Sequence, residues 1–172
     1  MRKIVLTYGL IIGAIFITGV LYMSNLLFYE NPEIKGNDFL GYVVIILVYS
    51  LLFFGLRNYR NRYLNGVISF KKAFKTGVLI ALVASTVYVV VWLFAYYLFF
   101  PDYMDKYSEY VLRHASPSEL EAKTEMMNEY NSMYENPLYI ILLTYAELFP
   151  IGIVVSLISS FILKKKKQTN EA

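Results

Sequence analysis

The sequence has no cysteine and a single histidine, His114. Without cysteine there is no disulfide and no thiolate, so nothing covalent can staple a small extramembrane domain. A lone loop histidine with no second ligand nearby is a poor metal centre and reads as a solvated side chain. Gly-rich phosphate loops, nucleophile constellations and metal-spaced clusters are also missing from the sequence. Charge is missing from most of the chain. Ile4–Met23, Phe39–Leu56 and Thr76–Phe100 hold no Asp, Glu, Lys or Arg, and Leu138–Leu163 holds only Glu147. No metal, no cofactor and no enzymatic activity is expected from these absences.

What remains is four apolar runs of about 18 to 26 residues, close to the roughly 20 that carry a helix across a hydrocarbon core. The chain is 172 residues long and 58% apolar, and the runs consume nearly all of those side chains. The expected fold is all-α: an integral membrane four-helix bundle. Its spans are 4–23, 39–56, 76–100 and 138–163. Residues 1–167 form one membrane domain, followed by a short cytoplasmic tail, 168–172. The apolar run at the N-terminus is too long for a signal-peptide core and is not followed by a small-residue cleavage site, so it reads as an uncleaved first span.

Charge sets the expected orientation. The segment between the second and third runs holds Arg57, Arg60, Arg62, Lys71, Lys72 and Lys75 and no acid. Lys164, Lys165, Lys166 and Lys167 follow the fourth run, and Arg2 and Lys3 precede the first. The segment 101–137 instead holds eight acids against Lys106, Arg113 and Lys123. With both termini cytoplasmic, twelve of the sixteen Lys and Arg lie inside, as the positive-inside rule requires. The basic residues at that face are expected to anchor the bundle in the headgroups and can meet anionic lipids. The net charge of +3 therefore reflects topology. No folded basic face is available for nucleic acid.

Local signals fill in the connections. Asn65-Gly66 marks a turn. Ser69 can cap the third helix, and Phe70, Ala73, Phe74 and Gly77 share one face of an entry turn expected to lie at the inner headgroups. Two helices are expected in 101–137, one over Asp102–Ala115 with Tyr103, Tyr107 and Tyr110 along one side. The other starts at Ser116-Pro117-Ser118-Glu119, with Ser as cap and Pro at the first position, and carries Met127, Tyr130 and Tyr134. Together they predict an extracytoplasmic hairpin between the third and fourth spans. Most tyrosines read as interface anchors. Asp102, Asp105 and Glu109 share a face that reads as solvated. Gly9/Gly13, Gly77/Ala81/Ser85 and Gly152/Ser156/Ser160 form small-residue ridges suited to close helix packing within the chain.

Glu147 is the one unusual residue. It lies about 13 Å into its helix at 1.5 Å per residue, near the midplane, where a carboxylate is costly unless neutral, paired or facing water. No span offers a cation, so a neutral, hydrogen-bonded acid is expected. Candidate partners at that depth are Tyr49 and Ser50 in the second span and Ser85, Thr86 and Tyr88 in the third. Pro150 should kink the helix and free a carbonyl, with Gly152 adding local freedom. Such an arrangement suits structural packing, or a proton- or ligand-linked site.

The segments Ile68-Ser69-Phe70, Ala73-Phe74, Gly77, Glu147-Leu148-Phe149-Pro150-Ile151-Gly152 and Ser156-Leu157-Ile158-Ser159 together resemble a bacterial membrane family. It is catalogued as domain of unknown function 4199 and is common among Bacteroidota. The resemblance runs over nearly the whole chain, Tyr134, Asn136 and Pro137 included. It implies four helices and a bacterial inner membrane, and no catalysis. The expected function is a non-enzymatic scaffold, accessory or sensor protein, alone, as a homo-oligomer or with a membrane partner. The alternative is a small oligomeric proton-linked transporter that uses Glu147.

Overall fold

A computed structural model describes residues 1–165. Seven α-helices account for most of them: α1 (Arg2–Ser24), α2 (Asp38–Tyr49), α3 (Leu51–Tyr63), α4 (Phe70–Leu98), α5 (Tyr103–Arg113), α6 (Leu120–Tyr134) and α7 (Pro137–Leu163). A π-helical segment, Asn25–Glu30, continues α1. Four helical stretches are long and apolar enough to cross a membrane: Arg2–Glu30, Phe39–Tyr63, Phe70–Leu98 and Pro137–Leu163. Lys166, Lys167 and the tail 168–172 lie outside the described residues.

Three helix starts, those of α2, α4 and α7, are set by side-chain caps. The Asn37 side chain accepts from Leu40 N at 3.2 Å, Ser69 from Lys72 N at 3.4 Å and Asn136 from Leu138 N at 2.9 Å. Each oxygen takes up one of the orphan donors of a first turn. Pro137, which has no N–H to leave unpaired, sits at the start of α7. The turn at Asn65-Gly66 has positive φ at both positions, where glycine pays no steric cost.

The second span differs from its expected form. It is interrupted at Ser50, between α2 and α3, and runs on to Tyr63. The Ser50 hydroxyl donates to Leu47 O at 2.6 Å, and Phe53 N reaches back only as far as Ser50 O, at 3.0 Å. A tightened turn replaces the α-ladder there. Pro150 lies inside α7, which runs on as one helix to Leu163.

The core forms around α4, which packs on both α1 and α7. The small-residue ridges make those approaches. A Cβ on Gly9 would lie 2.6 Å from Val83 Cβ, and one on Gly13 would lie 2.8 Å from Val87 Cβ. Gly77 faces Ser156, and Gly152 faces Ala81 and Tyr49. The α4 and α7 ridges thus interlock within one chain. Ile12, Tyr49, Leu52, Leu56, Ile80 and Ile140 are fully buried among them. The Phe70 face of α4 packs on Phe161 of α7, with ring centroids 4.7 Å apart. This face of the entry turn thus contacts the end of α7.

One end of the bundle gathers the basic residues and the other carries the hairpin. At the basic end, Arg60 donates to Leu163 O at 3.2 Å, and Lys165 N donates to Ile68 O at 2.9 Å. The first takes up an orphan carbonyl at the end of α7, and the second ties the residue after α7 to the loop before α4. At the opposite end, α5 and α6 pair as a helical hairpin. The second helix starts later than expected, at Leu120, and Ser116 does not cap it. Glu119 reaches back to Ser116 instead: its carboxylate accepts the Ser116 N–H at 3.2 Å and the Ser116 hydroxyl at 2.6 Å. Glutamate thus closes the turn that serine was expected to cap.

Candidate functional site: a tyrosine-lined hollow at Glu147

Glu147 sits beside the packed stripe of α7. Leu148 and Gly152 on that stripe are buried, whereas Glu147 remains exposed. Its side chain opens onto a hollow of about 360 Å³ between α2, α7 and the hairpin. The lining is Tyr42 from α2, Tyr103, Met104 and Tyr107 from α5, Tyr130 and Tyr134 from α6, and Leu143, Thr144 and Glu147 from α7. A second hollow of about 320 Å³ meets the first at Glu147, with Gly41, Tyr42, Ile45 and Tyr107 on its walls. Glu147, Tyr42 and Tyr107 line both spaces.

The walls are held from behind by more aromatic rings. Tyr103 stands edge-on to Trp92 at 4.9 Å and to Phe28 at 5.5 Å, and lies parallel to Tyr107 at 6.0 Å. Tyr134 packs edge-on to Tyr96 at 5.6 Å. These are the offset and edge-to-face arrangements that ring quadrupoles favour. The Tyr103 hydroxyl shares a hydrogen bond with Ser24, and burial holds this phenol well above its ordinary pKa. Burial, and next the nearby Glu147 charge, do the same for Tyr134. All of these phenols are neutral at physiological pH.

Of the five partners expected for Glu147, Tyr88 lies within reach of its charge, and the other four are engaged elsewhere. Tyr49 is fully buried in the core, where its hydroxyl pairs with Ser85 at 2.9 Å. Thr86 donates to Leu82 O or pairs with Tyr145, each at 2.7 Å. Ser50 bonds its own helix, as above, and Tyr88 is buried edge-on to Phe16. None of the five lines the hollow. The expectation of a hydrogen-bonded acid in the core is corrected accordingly: among the described residues no hydrogen bond reaches Glu147, and the carboxyl faces space. Pro150 is exposed on α7 and Gly152 is buried against Ala81, so neither belongs to the hollow.

The sequence reading passed over the hollow's tyrosines. Tyr103, Tyr107, Tyr130 and Tyr134 recur at helical spacing on both arms of the hairpin, but interface anchoring explained them equally well. Only the folding-back of α5 and α6 over α7 brings them to Glu147. The acidic face read as solvated is in part engaged: Tyr29 donates to Asp102 at 2.7 Å, and Glu109 pairs with Lys106 and Arg113. His114 sets one ring nitrogen 2.9 Å from Tyr110 O and the other 3.3 Å from Glu33 O, which pins the first loop to α5. Among the described residues no group of three or more His, Cys, Asp or Glu could hold a metal. At the basic end Arg57, Arg62, Lys71 and Lys75 are exposed, while Lys72 lies over the Tyr59 ring and Lys164 over Phe161.

Four apolar helices around a small-residue core, with one carboxylate opening on an aromatic hollow, define a multi-pass α-helical membrane protein. The chain belongs to the family described as Protein of unknown function (DUF4199), which it matches over residues 7–165. No curated protein and no solved structure is detectably similar to it.

Proposed function

We propose that this is a non-enzymatic accessory or sensor protein of a bacterial cytoplasmic membrane that binds a small ligand beneath its α5–α6 hairpin. In this reading both termini and the basic end face the cytoplasm, and the hairpin faces outward. Exposed Arg57, Arg62, Lys71 and Lys75 then meet anionic headgroups. One observation carries the reading: a carboxylate that no hydrogen bond reaches among the described residues stands in a hollow roofed by the hairpin. An intramembrane acid is a default functional position, and an aromatic hollow with one convergent polar group is a default ligand site.

The interruption of the second span at Ser50 favours one other reading, an oligomeric proton-linked transporter, since broken spans are where such proteins place their sites. Topology is tested by single cysteines in this cysteine-free chain. A cysteine at Ser118 should react with an impermeant reagent on intact cells, and one at Asn65 only after permeabilisation. The reverse pattern contradicts the orientation. Proton flux into vesicles carrying the purified protein, abolished by Glu147→Gln, would favour the transporter over the binding protein.

A further inference from the structure

We propose that the Glu147 hollow takes a small organic cation, an alkylammonium group paired with the carboxylate and caged by tyrosine faces. This inference rests on the reading of the hollow as a ligand site and adds the chemistry of its occupant. The lining holds five tyrosines, one carboxylate and no basic residue. An anion would meet like charge there, and a neutral ligand would leave the carboxylate without a partner.

The chain does not supply the missing cation. Arg113 pairs with Glu33 at 2.8 Å and Glu109 at 2.7 Å. Lys106 lies 3.7 Å from Glu109, and Lys123 lies 3.9 Å from Glu119. Lys35 exerts its charge on Glu119. Among the described residues, the other Lys and Arg belong to the basic end or the N-terminus. A hard metal ion would need several oxygen ligands at short range, and one carboxylate among tyrosines does not provide them. An organic ammonium needs less: one opposite charge, and ring faces within about 6 Å.

The rings are prepared for that role. Tyr103 is fixed by Trp92, Phe28 and its bond to Ser24, Tyr107 by Phe28 and Tyr103, and Tyr134 by Tyr96. A cage fixed in advance loses little entropy on binding. A volume of about 360 Å³ lies at the lower end of the range for small-molecule pockets, which fits a small amine and excludes a folded partner. The excess of acids on the hairpin segment draws cations toward this end of the bundle.

The single tryptophan, Trp92, packs directly behind Tyr103 and reports on the cage. The test is titration of the full chain in lipid nanodiscs with tetramethylammonium and butylammonium chlorides, read by Trp92 fluorescence and by the thermal unfolding midpoint. Sodium chloride at equal ionic strength and a neutral alcohol of matching shape serve as controls. The expected result is a saturable response to an ammonium that neither control reproduces. It should weaken by about tenfold or more in Glu147→Gln, as loss of a charge-assisted contact implies, and also weaken in Tyr130→Leu, which leaves the carboxylate in place. No saturable response to either ammonium, or an equal response to sodium, overturns the proposal. Equal binding of the neutral alcohol, sensitive to Tyr130→Leu, overturns the cation but leaves the hollow a ligand site. Silence from every probe, the alcohol included, counts against both.

Discussion

Glu147 and Gly152 lie five positions apart on α7 and make opposite demands. Glu147 faces open space without a hydrogen bond, so Glu147→Gln should leave folding intact. Gly152 has no room for a side chain: a Cβ there would lie 2.7 Å from Ala81 Cβ and 3.0 Å from the Tyr49 ring. Both obstacles are buried and neither can swing away, so Gly152→Val should destabilise the bundle by about 1–3 kcal/mol through overpacking. Thermal unfolding in one detergent compares the variants, with Glu147→Gln expected close to the parent and Gly152→Val clearly below it. A strongly destabilised Glu147→Gln would mean that the carboxyl has structural partners. Glu147 was legible as the anomaly of its span because one charge in an apolar run is visible by composition alone. Its neighbours were not. Counting residues along a helix gives depth but not azimuth: of the five expected residues only Tyr88 lies within reach of the Glu147 charge, while Tyr49, Ser50, Ser85 and Thr86 bond elsewhere.

At the scale of elements, helix starts were readable wherever a side-chain oxygen precedes an apolar run, as at Ser69. The start of α6 was read wrongly because Ser116 and Glu119 both belong to the capping pattern, and only the glutamate half forms. Its carboxylate accepts both Ser116 donors, and these bonds, aided by Lys123, hold the Glu119 pKa below its ordinary value. A lowered folded-state value means that the interaction is fully present above the ordinary glutamate range and is lost as pH falls through the lowered value. The start of α6 should therefore loosen only in acid. Ser116→Ala removes the shorter of the two bonds, so Glu119 should titrate higher, nearer an unperturbed glutamate. Carboxyl carbon shifts followed by NMR against pH check this, and an unchanged Glu119 titration would contradict the bond. The interruption at Ser50 escaped the sequence reading because serine is a common residue in spans and its hydroxyl usually bonds the preceding turn without breaking the helix. Pro150 lies within α7, which continues through it, as neighbouring helices often allow in membrane bundles.

For the whole molecule, hydropathy gave the number of spans and their approximate ends, because span length is set by membrane thickness. The small-residue ridges gave the tight contacts, and the structure adds their pairing: α1 on α4, and α4 on α7. The hollow is a property of the assembled chain. It exists because α5 and α6 fold back over α7, a long-range arrangement that no local spacing encodes. The central claim is that this hollow opens on the hairpin side of the membrane and favours positive charge. The reaction rate of Leu143→Cys on intact cells tests it most directly, because Leu143 lines the hollow and the native chain has no competing thiol. A small impermeant cationic thiosulfonate should react from outside, and faster than an anionic reagent of similar size. Reaction only after permeabilisation, or a faster reaction with the anionic reagent, would contradict the account.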